Sequence, residues 1–209
     1  MRLDIHGLTH TYPDSHIPVL NNLCFSMESP GFNAIFGPSG VGKSTLARII
    51  SAQQAHTRES IRVENISTIL YSYNLERLPG WATTGKHLDR VTPEEKKVLK
   101  KELVDIFQLN PLLDQRFAAL SMGQQNRVNL IRYLVQDFDL LIMDESLANV
   151  DEALRQEIIL AIKALFTTQM FLYISHNLIE VATYCRQILV LGQSPDAGNA
   201  ALVNGQDHT

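Results

Sequence analysis

The stretch Gly37-Pro38-Ser39-Gly40-Val41-Gly42-Lys43-Ser44-Thr45 constrains the fold of this chain more than any other feature. It follows an apolar run, Asn33-Ala34-Ile35-Phe36, that reads as a strand. It leads into Val41 to Ser51, where Leu46, Ile49 and Ile50 recur at helical spacing. A glycine-rich turn between a strand and a helix lets successive backbone N–H groups point inward around a phosphate chain. Lys43 then reaches the outer phosphates, the Ser44 hydroxyl can hold Mg²⁺, and the helix N-terminus behind the loop adds favourable partial charge for an anion. The pattern predicts an α/β fold with a nucleoside triphosphate site at this turn.

The rest of the chain fits that prediction. Strand-like runs cover Leu3 to Leu8, Val19 to Met27, Ile66 to Tyr73, Leu140 to Met143, Met170 to Ile174 and Ile188 to Leu191. Helices are expected over Asp151 to Phe166, with Leu154, Ile158, Ile162 and Leu165 inward, and over Leu178 to Cys185. The middle is helical: Thr92-Pro93-Glu94-Glu95 reads as a capping box with proline at the first helical position, and Asn110-Pro111 closes that helix. The expected organisation is a single domain over residues 1–191 with a helical insertion at roughly 75–136. Residues 192–209, polar and rich in Gly and Asn, are expected to form a weakly ordered tail.

Composition narrows the class. A net charge of −4 and a pI near 6.0 give no basic footprint for nucleic acid. No run approaches the roughly 18 apolar residues of a membrane span, and the start, Met1-Arg2-Leu3-Asp4-Ile5-His6-Gly7, lacks the apolar core of a signal peptide. Cys24 and Cys185 form no CxxC pair, and the histidines do not cluster as metal ligands. The expectation is a cytoplasmic protein that uses no metal beyond Mg²⁺ with its nucleotide.

A second phosphate-site element lies downstream. Asp144 ends the apolar run Leu140-Leu141-Ile142-Met143, and Glu145 follows directly. A carboxylate at the C-terminal edge of a buried strand is where Mg²⁺ needs a protein ligand, and a neighbouring carboxylate can polarise a water for attack on the γ-phosphate.

Between these two elements, Leu120-Ser121-Met122-Gly123-Gln124 resembles the LSGGQ signature of ATP-binding-cassette (ABC) ATPases, and Gln125-Asn126-Arg127-Val128 continues the likeness. Leu147-Ala148-Asn149-Val150-Asp151 is similar to the family's D-loop, and Tyr173-Ile174-Ser175-His176-Asn177 to its switch-histidine segment, with Glu180 in register. Tyr12 is placed like the aromatic that stacks on adenine. The resemblance runs from about Leu3 to Leu191. It implies a P-loop NTPase core, a mostly parallel sheet flanked by helices, with a small antiparallel β subdomain and an inserted α-helical subdomain. It implies binding and hydrolysis of ATP with Mg²⁺, with Lys43, Glu145 and His176 catalytic. Gly37 to Thr45, Tyr12, Asn74 and Asp144 would hold the nucleotide, and Ser44, Asp144 and Asn74 the metal. Ser121, Met122, Gly123, Gln124 and Asp151 would complete the site of a partner subunit in a head-to-tail homodimer. From the residues alone, Ser121 and Asp151 could equally cap helices, Tyr12 could be core and His176 a turn histidine.

Three departures from the family's pattern stand out. The Q-loop glutamine position falls on Asn74, one methylene shorter. Met122 replaces the first signature glycine, while Gly123, the one suited to close backbone approach, is kept. Ser146 stands where the family usually has proline. The stretch from Ala52 to Ile69 is also short, so a trimmed β subdomain is expected.

Arg77-Leu78-Pro79-Gly80-Trp81 resembles the Leu-Pro-Trp segment of importer ATPases for nitrate, taurine and alkanesulfonates. The implied role is the ATPase subunit of a bacterial importer of a small solute. It would bind integral membrane permease subunits and no nucleic acid, peripherally at the cytoplasmic face of the inner membrane. The competing role within the same family is a soluble ATPase of DNA repair, chromosome maintenance or translation.

Overall fold

A computed structural model describes residues 1–28, 30–52, 59–74, 76, 82–192 and 200–209. Leu75 and Arg77 to Trp81, the segment similar to importer ATPases, lie outside the described residues. So do residues 193–199 of the tail. The chain divides into two compact units, Met1–Tyr71 with Phe138–Asp144 and Phe166–Thr209, and Ser72–Asp137 with Glu145–Leu165. The chain thus passes from the first unit to the second between Asp144 and Glu145.

The first unit holds a small antiparallel sheet in which β1 (Arg2–His10) pairs with both β2 (Leu20–Glu28) and β4 (Ile61–Glu64). Leu23, Phe25 and Met27 of β2 are buried while Cys24 between them is exposed, the alternation of a sheet packed on one face. The trimmed subdomain expected from the short stretch before Ile69 is this three-stranded sheet. Its last strand, β4, was not anticipated, since only Ile61 and Val63 mark it.

The larger sheet pairs, in order, β5 (Ile69–Tyr73), β6 (Leu140–Asp144), β7 (Met170–Ile174), β3 (Gly31–Phe36), β8 (Gln187–Leu191) and β9 (Ala200–Asn204). In it β3, β6, β7 and β8 run parallel. Every residue of β6 and β7 is buried, which is why both read as unbroken apolar runs. Helix α1 (Lys43–Ala52) buries Leu46, Ile49 and Ile50 in the core of this unit. Phe171 lies at the centre of an aromatic cluster, its ring 5.1 Å from Phe32, 5.7 Å from Phe138 and 5.9 Å from Phe166.

Three local expectations are corrected. Strand β5 spans Ile69–Tyr73 and not Ile66 to Tyr73. Ser67 and Thr68 donate their N–H groups to Asp139 Oδ2, at 2.6 and 2.9 Å, which holds them in a loop. The tail is structured at Ala200–Asn204 (β9), antiparallel to β8, with pairs running from Gln187–Asn204 to Leu191–Ala200. Beyond β9, Gln206 and His208 donate backbone N–H groups to Ala182 and Thr183 carbonyls of α6 (Leu178–Tyr184), at 2.8 and 2.9 Å.

The third correction falls in the second unit, which carries α2 (Thr84–Val91), α3 (Lys97–Ile106), α4 (Met122–Leu134) and α5 (Glu152–Leu165). Thr92 does not open a helix. It ends α2, and its hydroxyl donates to the Leu88 carbonyl at 2.6 Å, back into the helix it closes. A short 3₁₀ turn, Glu94–Lys96, follows without a side-chain cap. The capping box of this region lies instead at Ser121 and Gln124, at the head of α4.

Candidate nucleotide site

Register places the site. Ile35 of β3 pairs with Ile174 of β7, and Ile174 pairs with Asp144 of β6. Three parallel strands therefore end level. The glycine-rich turn after Phe36, the acidic pair at Asp144 and the histidine turn after Ile174 all leave from one edge, the carboxyl edge where α/β sheets bind ligands.

In the turn itself Pro38, Ser39 and Gly40 are exposed, while Val41, Gly42 and Lys43 are buried. Gly42 sits at φ 103°, and a Cβ there would come within 2.9 Å of Leu20 Cδ2 and 3.2 Å of the Val19 carbonyl. Only glycine fits. The Lys43 ammonium donates to the carbonyls of Gly37 and Pro38, at 2.7 Å each, which folds the side chain back along the turn at 6% exposure. Tyr12 is exposed. Its hydroxyl lies 2.6 Å from Thr45 Oγ1, so its ring stands beside the start of α1. It is not a core residue.

Asp144 is buried and accepts a hydrogen bond from the Tyr71 hydroxyl on Oδ2 at 2.7 Å. Burial, and then this bond to a carboxylate, push the Tyr71 phenol well above its ordinary range, so it serves as a neutral donor. Sequence reasoning missed Tyr71, because the pairing spans β5 and β6 and no local pattern marks it. Tyr71→Phe removes this donor. We expect it to lower the unfolding free energy by about 1.5–3 kcal/mol, the range for a hydrogen bond to a charged group, read from urea midpoints at constant m-value.

A buried carboxylate shapes the histidine turn. Glu180 Oε1 accepts from the hydroxyls of Tyr173 and Ser175, both at 2.8 Å. Ser175 Oγ in turn accepts from the Asn177 N–H at 3.1 Å, and Asn177 Oδ1 caps α6 through the Glu180 N–H. These bonds fix the backbone on both sides of His176, which is exposed.

The remaining predicted residues belong to the second unit. Glu145 adopts φ 53°, a left-handed conformation uncommon for a residue with a side chain. Its carbonyl accepts from the Ala148 N–H at 2.9 Å, which closes a turn. Ser146, in the place of the family's usual proline, is buried and donates to the Ser72 carbonyl at 3.0 Å and shares a 2.9 Å contact with the Ser72 hydroxyl. Asp151 Oδ1 caps α5 by accepting from the Leu154 N–H at 2.9 Å. Ser121 caps α4: its hydroxyl accepts from the Gln124 N–H at 3.3 Å, and the Gln124 side chain accepts from the Ser121 N–H at 2.8 Å. Both helix-capping alternatives left open by the sequence are thus realised. Ser121 and Met122 are exposed at the head of this 13-residue helix. A Cβ on Gly123 would lie 2.1 Å from the Asn149 carbonyl oxygen, so the close backbone approach expected there is made to the chain's own 145–150 turn. Asn74 Oδ1 accepts from Asn126 Nδ2 at 2.9 Å.

Mg²⁺ favours oxygen ligands and usually keeps waters and phosphates in its shell, needing only one or two protein groups. The Ser44 hydroxyl in α1 and the Asp144 carboxylate at the end of β6 are oxygen groups of the kind that ion takes. Among the described residues no group of three or more His, Cys, Asp or Glu side chains is placed for an all-protein metal site.

A family model described as "ABC transporter" matches residues 20–148. The chain is 30% identical over 212 residues to an sn-glycerol-3-phosphate import ATP-binding protein of Jannaschia sp., a match covering 91% of this chain and 59% of that one. It is 33% identical over 189 residues to a maltose/maltodextrin import ATP-binding protein of Yersinia pestis, covering 82% and 50%. The chain therefore spans only about half to three fifths of these relatives' length. Among solved structures, the dimeric bacterial ABC transporter cassette MJ0796 superposes with a TM-score of 0.77 at 22% identity, covering 91% of this chain and 94% of that one. An ATP-bound Atm1-family ABC exporter also gives 0.77, at 21% identity, covering 98% of this chain and 38% of that chain. At these identities the two structures establish the fold. Neither relative bears on the likeness of residues 77–81 to nitrate- or taurine-type importers.

Proposed function

We propose that this chain, which belongs to the ABC transporter family, is the ATP-hydrolysing nucleotide-binding subunit of a bacterial importer. The observation that carries the reading is the level ending of β3, β7 and β6, which brings the Lys43 turn, the His176 turn and Asp144 to one edge in the first unit. Import is favoured over export by two relatives whose names describe import ATP-binding proteins. Among the described residues no helix is long and apolar enough to cross a membrane, and the proposed partners are permease subunits that carry the transport path. The chain would work at the cytoplasmic face of the inner membrane.

In this account the exposed Pro38–Gly40 backbone cradles the phosphates, and Lys43 exchanges the Gly37 and Pro38 carbonyls for phosphate oxygens. Tyr12, beside Thr45, stacks on the adenine. Ser44 and Asp144, with Asn74, would hold Mg²⁺, which when bound neutralises charge on the β- and γ-phosphates. Glu145 orients the attacking water and accepts its proton, and His176 faces the γ-phosphate. The exposed head of α4, with Ser121 to Gln124, presents a hydroxyl and N–H groups to the γ-phosphate bound by a second copy. Two such sites close head to tail around two ATP molecules, and Asp151 belongs to that interface.

The transport role is tested at Leu78, in the segment whose sequence is similar to importer ATPases and which is proposed to bind a membrane subunit. Leu78→Asp is expected to keep its nucleotide affinity in isolation and to lose co-purification with co-expressed permease subunits. Retained co-purification would count against the groove. Tight, salt-sensitive binding of the wild type to DNA or ribosomes would overturn the transport reading in favour of a soluble role.

A further inference from the structure

Asn126 is the most buried polar side chain of α4 that contacts two other segments at once, at 2% exposure. Its Nδ2 donates to Asn74 Oδ1 at 2.9 Å and to the Ala148 carbonyl at 2.9 Å. An amide nitrogen carries two hydrogens, and both are committed. Ala148 is tied on its other side as well, because its own N–H donates to the Glu145 carbonyl at 2.9 Å. A continuous path therefore runs from Asn74 through Asn126 and Ala148 to the backbone of Glu145, within one compact unit.

Two further ties run alongside. Ser146, next to Glu145, is bonded to Ser72, two residues before Asn74. Gly123, one turn before Asn126, abuts the Asn149 carbonyl so closely that no side chain fits. The segment after Asn74 is anchored to the same helix: Asn129 Nδ2 donates to the Glu76 carbonyl at 2.8 Å, and Arg132 and Tyr133 bind the Glu76 carboxylate at 3.1 and 2.8 Å. The conformation these ties stabilise is the left-handed one at Glu145, φ 53°, which a free chain would rarely hold.

We infer that Asn126 is a positioning residue for hydrolysis, holding the Glu145 turn in register with Asn74 so that the two segments move as one. The inference rests on the reading of the chain as an ATPase. It also accounts for the short side chain at position 74: Asn74 is matched in reach to a buried asparagine on α4, and its oxygen is already bonded there. Asn74 then acts through the turn, whatever else its amide touches.

The test is a cycle of Asn74→Ala, Asn126→Asp and the double variant in the full chain. Asn126→Asp keeps shape and replaces the shared donor with an acceptor facing two oxygens. Asn126→Asp is expected to lower kcat at least fivefold with KM for ATP and the affinity for a fluorescent ATP analogue within twofold of wild type. Asn74→Ala, at a residue proposed to help hold Mg²⁺, is expected to lower kcat at least fivefold whatever it does to KM. The double variant should be no slower than the worse single, because one path is cut twice. Multiplicative losses, or an unchanged kcat in either single, would overturn the inference. If Asn126→Asp does not fold, Asn126→Ala, which removes the shared donor without adding a charge, takes its place in the cycle and is read by the same split between kcat and KM. A wild type without turnover would overturn the ATPase reading itself. A wild type that turns over beside an unaffected Asn126→Asp would overturn only the positioning role.

Discussion

Glu145→Gln is expected to bind ATP with wild-type affinity and to hydrolyse it about 100-fold more slowly, the lower end of what a positioned general base contributes. The substitution keeps the size of the side chain and removes its ability to take a proton. The structure supplies the reason for choosing this carboxylate. Glu145 directly follows Asp144 at the end of β6, its φ of 53° is imposed by a turn closed through Ala148, and the next residue is pinned to Ser72. A position held so firmly in an uncommon conformation implies that the direction of its side chain matters. Phosphate release at saturating ATP, with analogue binding measured alongside, checks the result. Wild-type-like turnover would remove Glu145 from the role.

Ser121→Arg is expected to leave ATP binding by the single chain intact and to reduce hydrolysis at least tenfold, with no recovery at higher protein concentration. Ser121 is exposed at the head of α4, where it forms a capping box with Gln124. In the proposed head-to-tail dimer its value to catalysis comes from what a second copy presents to it. Losing the cap alone costs about 1 kcal/mol of stability, so Ser121→Ala serves as the control. It removes the same cap without adding bulk or charge. A loss of hydrolysis in the arginine variant well beyond that of the alanine variant is the mark of a shared site. Equal, small losses in both would confine Ser121 to capping.

The sheet was legible in the sequence because burial on both faces writes itself as continuous apolar runs, as in Leu140 to Met143 and Met170 to Ile174. The phosphate turn was legible because strand, glycines, lysine and helix are contiguous. Features set by partners distant in the chain were not. Thr92 satisfies the local pattern of a capping box, yet its hydroxyl is taken by Leu88, one turn back in a helix that no strong periodicity announced. Strand β9 exists because β8 offers an open edge, which five residues of modest strand preference do not reveal. The donors to Asp144 and Asn74, Tyr71 and Asn126, come from residues 73 and 52 positions away. Ser146 read as a departure from the family's proline. In the fold its hydroxyl bonds to Ser72, which anchors the turn in another way.

If ATP binding closes two copies of this chain head to tail, as proposed, sedimentation velocity of the hydrolysis-slowed Glu145→Gln chain will show it. With Mg²⁺ and ATP it should sediment as a species of twice the 23.5 kDa chain mass. With ADP, or with Ser121→Arg added, it should remain at the single-chain mass. A Glu145→Gln chain that binds ATP with wild-type affinity and still sediments as a monomer, or one that dimerises equally with Ser121→Arg present, would contradict head-to-tail closure.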